Sequence, residues 1–160
     1  MKNLQKLGIA ILFTAVVVSC SSNQGGSPSV DDFMTIKIDG TSWEATTGID
    51  DDIFWDDSHA SFQGVIGNKD DNSRIFIRLD NYSGTGTYSY PQDGMLAYFA
   101  DTATIDRWVC DDSVSGVTGT VTITSDDNDV ITGTFSFTGK SPVDNTIKSF
   151  TEGKFSATKQ

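Results

Sequence analysis

Beyond its first twenty residues the chain alternates apolar and polar positions in short runs. The clearest run is Gly119 to Phe137. Val121 and Ile123 alternate with Thr120, Thr122 and Thr124. Ile131, Phe135 and Phe137 then recur at even spacing, separated by Thr132, Thr134 and Ser136. A period of two sends one set to a buried face and the other to water. Asp126-Asp127-Asn128-Asp129 lies between the arms, and Asn and Asp bond their own backbone in turns. The pattern predicts a β-hairpin.

The same alternation predicts further strands. Met34, Ile36 and Ile38 share a face, and Asp39-Gly40 then makes a tight hairpin turn towards Trp43. His59–Gly67 reads as a strand. Arg74–Asp80 puts Ile75, Ile77 and Leu79 on one face and Arg74, Phe76 and Arg78 on the other. A short strand carries Tyr88 and Tyr90 and stops at Pro91, which has no N–H for a ladder. Met95–Ala100, Thr104–Cys110, Thr146–Thr151 and Gly153–Ala157 follow, with a turn at Gly139–Pro142. Gly48–Ser58 sets Ile53, Phe54 and Trp55 between acidic groups and reads as a loop or irregular strand. Gly133-Thr-Phe-Ser-Phe137 is echoed by Gly153-Lys-Phe-Ser-Ala157. No window past the leader has helical period, and parallel pairing needs long crossovers. The expected fold is all-β: an antiparallel β-sandwich or barrel-like meander after a lipoprotein signal peptide.

Lys2 and Lys6 precede an apolar run, Leu7–Val18, that suits a signal h-region and is too short to span a bilayer. It ends in Val17-Val18-Ser19-Cys20, which resembles the bacterial lipobox. That resemblance implies cleavage before Cys20 and acylation of its sulfur and amino group. Several acyl chains hold a protein to a membrane stably where one does not. Ser21–Ser29 is rich in Gly and Ser and reads as a flexible tether. The expected organisation is a signal peptide over 1–19, an acylated Cys and tether over 20–30, and one β domain over 31–160. Ser21 after the Cys, with no acidic cluster following, points to the outer membrane with the domain facing the periplasm. Surface exposure is the alternative.

Charge narrows the partners. The chain carries −11, and loss of the leader's two lysines takes it to −13. That argues against nucleic acid and anionic membrane surfaces, which need a basic footprint. With Cys20 acylated, Cys110 has no partner in the chain for a disulfide.

Catalytic signatures are scarce. There is no Gly-x-Ser-x-Gly elbow, and His59 is the one histidine. His59 with Cys110 would make a thiol–imidazole pair only if the fold joined them; a small buried Cys is the plainer reading. Zinc wants more Cys and His than the chain has. Glu44 and Glu152 are the only glutamates, and a chain this small leaves little room for a carboxylate-lined cleft. Calcium takes six to eight oxygens, and Asp50, Asp52, Asp56 and Asp57 are the candidate ligands, although no cluster fits an EF-hand loop. Trp55, Tyr88 and Tyr90 are the candidate ligand-binding aromatics. Exposed together they would form a platform for sugar rings or a protein; buried, they would be core. Asp101-Thr-Ala103 and Asp112-Ser-Val114 resemble an O-glycosylation acceptor motif of Bacteroidota-type bacteria.

Four segments, Ile38–Ala45, Asn81–Tyr88, Ile131–Phe137 and Glu152–Phe155, are similar to those of small uncharacterised β-rich lipoproteins of Bacteroidota-type bacteria. The resemblance covers most of the mature chain and carries no known chemistry. These proteins have no assigned activity, so the resemblance carries over no functional residue. The expected protein is a non-enzymatic cell-envelope lipoprotein without a cofactor, calcium being the one candidate. The expected role is a binding module for a glycan or an envelope protein. A structural accessory subunit of an outer-membrane complex is the second reading and a small hydrolase the third.

Overall fold

The computed structural model describes residues 32–45, 53–56, 63–69, 72–101 and 106–160, with the side chains of residue 54 and residues 63–66 left out of the description. Eleven strands occupy the described residues: β1 Phe33–Ile38, β2 Thr41–Glu44, β3 Ile53–Asp56, β4 Gln63–Asn68, β5 Ser73–Leu79, β6 Gly86–Tyr90, β7 Met95–Asp101, β8 Asp106–Cys110, β9 Gly119–Asp126, β10 Val130–Lys140 and β11 Ile147–Lys159. No helix occurs among them. The fold is all-β, an antiparallel sheet curled into a half-barrel.

The strand order is β2-β1-β11-β3-β4-β5-β7-β8-β10-β9-β6, and β10 also pairs with β11. β11 is therefore the seam. One of its edges takes β10; the other takes β1 and then, at Thr158 and Lys159, β3. β8 reaches β10 through one residue pair, Val109 with Lys140. The β3–β11 pairing is parallel, a short exception to the antiparallel expectation.

Local signals explain most of the hairpins. Asp39 and Gly40 both have positive φ, 49° and 83°, as a two-residue hairpin turn of the favoured hand requires. Asp39 also clamps β11: its N–H donates to Ser149 O at 2.9 Å, and its Oδ1 accepts from Ser149 N at 2.8 Å. The Gly119–Phe137 run forms β9 and most of β10 as expected, with Val121, Ile123, Ile131, Phe135 and Phe137 buried. β10 continues through Gly139 to Lys140, where a turn was expected; the turn follows at Ser141–Thr146.

The concave side holds the core. Met34, Ile75, Ile77, Leu79, Met95, Ile123, Ile131, Phe150 and Phe155 are all nearly or wholly without solvent contact. Aromatic rings knit the two arms together. Phe150 stacks on Phe137 with centroids 4.1 Å apart and touches Phe99 at 5.7 Å. Trp43 meets Phe99 edge-on at 6.5 Å and donates its indole N–H to Ser73 Oγ at 2.8 Å. That bond satisfies the one polar atom that Trp43 carries into the interior.

One polar tie fastens the end of β11. Lys159 Nζ binds Asp126 Oδ1 and donates to Asp127 O at 2.6 Å, while Tyr82 OH donates to Asp126 Oδ2 at 2.6 Å. Hydrogen bonds from Lys159 and Tyr82 hold the Asp126 carboxyl below the usual range. Burial, and then the bond to Asp126, push the Tyr82 hydroxyl well above its ordinary value, so it stays a donor. A depressed carboxylate contributes stability above its unfolded pKa of about 4 and loses it as pH falls through the lower folded value. Asp126→Asn should thus cost about 1–2 kcal/mol at pH 7. The difference from wild type should shrink below about pH 4, as read from denaturant midpoints across pH. A pH-independent difference would refute the tie.

Candidate functional site

The three candidate aromatics do not form an exposed platform. Trp55 is 1% exposed and Tyr88 6%, both in the core, while Tyr90 is half-buried against it. β3 has only four residues, and its inward face takes Ile53 and Trp55 together. Tyr82 bridges the group: its ring lies 4.9 Å from Trp55 and stacks on Tyr88 at 5.8 Å. Tyr88 OH donates to Gly84 O at 2.7 Å and accepts from Ser83 N at 3.0 Å, closing its own loop. Tyr90 OH donates to Asp112 Oδ1 at 3.0 Å. Tyr88 and Tyr90 do share a face, as period two requires. These rings hold the domain together and present no stacking surface at Trp55 or Tyr88.

The other sequence candidates divide. Cys20, Asp50, Asp52, Asp57, His59 and Thr102 lie outside the described residues. Asp56 is half-buried at the end of β3. Among the described residues no three His, Cys, Asp or Glu side chains converge as metal ligands. Cys110 is wholly buried. Burial, with Asp111 beside it, pushes its thiol up to about 12, so it remains a protonated apolar side chain. Ser113 is exposed and binds Asp111 through both its N–H and its hydroxyl.

Two outward faces remain. The first is the convex side of β2-β1-β11-β10-β9-β6. It is a field of hydroxyls, with Thr87 bonded to Thr122 and Thr124 to Thr132, each at 3.0 Å. Its Lys37 is paired with Glu152 at 2.7 Å. Shallow depressions cross it among Thr120, Ser136 and Thr138 and among Thr122, Thr134 and Glu152.

The second is the outer face of β5, β7 and β8. Residue pairing sets Arg74 beside Ala100 and Ala100 beside Arg107. The next row is Phe76, Tyr98 and Val109; the third is Arg78 and Leu96. All three arginines of the chain therefore stand on one face of a strongly acidic protein. The Arg74 guanidinium lies 5.7 Å from the Tyr98 ring centre and that of Arg107 lies 6.0 Å from it. Phe76 packs on Tyr98 at 5.1 Å. Arg78 is held by Asp80 at 2.7 Å. Among the described residues neither Arg74 nor Arg107 meets a carboxylate, and both are exposed. Ala100, 9% exposed, floors the notch between them.

Total charge hid this footprint. The alternation of β5 already put Arg74, Phe76 and Arg78 together on the polar side. What local pattern could not supply was the register that brings Tyr98 and Arg107 alongside.

The fold defines a class, a small all-β domain built on one curled sheet. The chain belongs to the family described as Domain of unknown function (DUF6252), whose model matches residues 32–158. No curated protein and no solved structure matches the chain.

Proposed function

We propose that this protein is a non-catalytic binding module of the cell envelope, acylated at Cys20 and held to the outer membrane by that anchor. The resemblance of its leader to a lipobox, the Gly/Ser tether and the similarity to lipoproteins of Bacteroidota-type bacteria support the address. The tether lets the domain stand away from the lipid. Its ligand is a glycan or an envelope protein. The observation that carries the reading is the outer face of β5, β7 and β8, where Arg74 and Arg107 flank Tyr98 without carboxylate partners among the described residues. A cation left unpaired beside an aromatic ring can engage an outside anion at small cost in desolvation.

The test is capture from detergent-solubilised envelope by the full-length protein. Wild type should retain a specific partner, and Arg74→Gln with Arg107→Gln should lose it on the order of tenfold while melting at the same temperature. Equal capture by both proteins would remove this face from the proposal. Cys20→Ser should release the protein from the membrane fraction. Continued sedimentation of that variant with membranes would overturn the anchor.

A further inference from the structure

We propose that the outer face of β5, β7 and β8 binds a carboxylated glycan, with Arg74 and Arg107 each taking a carboxylate and Tyr98 with Phe76 supporting a sugar ring between them. This inference rests on the binding-module reading and names its ligand class.

Arg74 and Arg107 lie two strands apart across β7, a backbone separation of about 9.6 Å at ~4.8 Å per strand, and their guanidiniums converge on the Tyr98 ring, 5.7 and 6.0 Å from its centre. A polymer that carries a carboxylate on each sugar can engage both. The row between and below them is apolar: Ala100 in the notch, then Phe76 and Tyr98, with Val109 buried at its end. A sugar presents C–H groups on the faces of its ring, and those groups match half-buried aromatic rings better than charged ones do. A planar guanidinium takes a carboxylate through two parallel N–H bonds. Arg78 lies off this line and is already occupied by Asp80.

Other anions fit less well. β5 and β7 are paired on both edges, so a peptide could add main-chain bonds only along the outer edge of β8, which meets β10 at one residue pair. A bilayer is a broad plane, and a chain of net −11 would bring its acidic loops against the same surface. A single polymer strand covers only the arginine row, where the acids of distant loops are largely screened at physiological salt.

The experiment is affinity electrophoresis and calorimetry of the full-length protein in detergent. The probes are polygalacturonate, its methyl ester, and phosphatidylglycerol vesicles. Polygalacturonate should bind and the methyl ester should bind on the order of tenfold more weakly or worse. Arg74→Gln and Arg107→Gln should each cost about tenfold, Arg78→Gln less than about twofold, and added salt should weaken binding. Thermal melts of Arg74→Gln and Arg107→Gln should coincide with wild type, since both residues are exposed. Equal binding of the methyl ester, or indifference to both substitutions, overturns the carboxylate assignment. So does binding of the vesicles with none of the polysaccharide, or capture of a protein through the same arginines. In those two cases the binding module stands with a different ligand. If neither glycan, vesicle nor envelope protein binds, both readings fall.

Discussion

Phe150→Ala should be the most damaging single truncation in the domain, costing about 3–5 kcal/mol and lowering the melting midpoint by roughly 10–20 °C. Phe150 has no solvent contact. It lies parallel to Phe137 at 4.1 Å and 9°, and it touches Phe99 across the interior at 5.7 Å. Phe99 in turn meets Trp43 and Trp108. One ring thus couples the β10–β11 arm to the β7–β8 arm, and β10 otherwise meets β8 through a single residue pair. Removing the ring deletes its own transfer energy and leaves a void bordered by rigid aromatics, which relax poorly into space. Phe150→Leu keeps most of the volume and should cost about 1.5 kcal/mol. Urea melts of the two variants decide it. A loss under about 1 kcal/mol for the alanine would mean that the arms are not joined through this residue.

Much of this core was legible beforehand, because alternation is local. Ile75, Ile77 and Leu79 point inward and Arg74, Phe76 and Arg78 outward, as period two dictates. Asp39-Gly40 gave its turn because few residue pairs accept two positive φ values in succession. Failures began where a signal was too short or not local. β3 is four residues long, and alternation over four residues fixes which side chains share a face without saying which face is inward. Trp55 went in. Thr146–Thr151 and Gly153–Ala157 read as two strands but form one, β11, because Glu152 takes a φ of +58° and bulges without ending the ladder. Register shifts beside it in both β1 and β10. The arginine notch depends on pairing between β5, β7 and β8, which lie up to some thirty residues apart in the chain. No window contains it.

The echo between Gly133–Phe137 and Gly153–Ala157 has a physical origin, and it carries the second large prediction. In the β10–β11 ladder Gly133 faces Phe155, and Phe135 faces Gly153. Each Gly-x-Phe therefore supplies a glycine for the other's ring, and the rings lie 6.2 Å apart on the concave side. An aromatic ring lying over a cross-strand glycine restores the apolar cover that the glycine lacks. The space is already full. A Cβ on Gly153 would stand 2.5 Å from Phe135 O and 2.7 Å from the Phe135 ring; one on Gly133 would stand 2.6 Å from Thr122 O and 2.7 Å from the Phe155 ring. Neither glycine has positive φ, so the cost comes from crowding and not from backbone preference. Gly153→Ala should therefore destabilise by about 2–3 kcal/mol, towards the upper end of overpacking costs, because one obstacle is a main-chain oxygen of the paired strand. The ring can move and the oxygen cannot. Phe135→Leu in the same chain should thus recover part of the loss, leaving a coupling of about 0.5–1 kcal/mol in a double-mutant cycle. Gly153→Ala within about 0.5 kcal/mol of wild type would show that the two strands are not in this register. Full recovery by Phe135→Leu would show that the ring alone, and not the ladder, fixes the glycine.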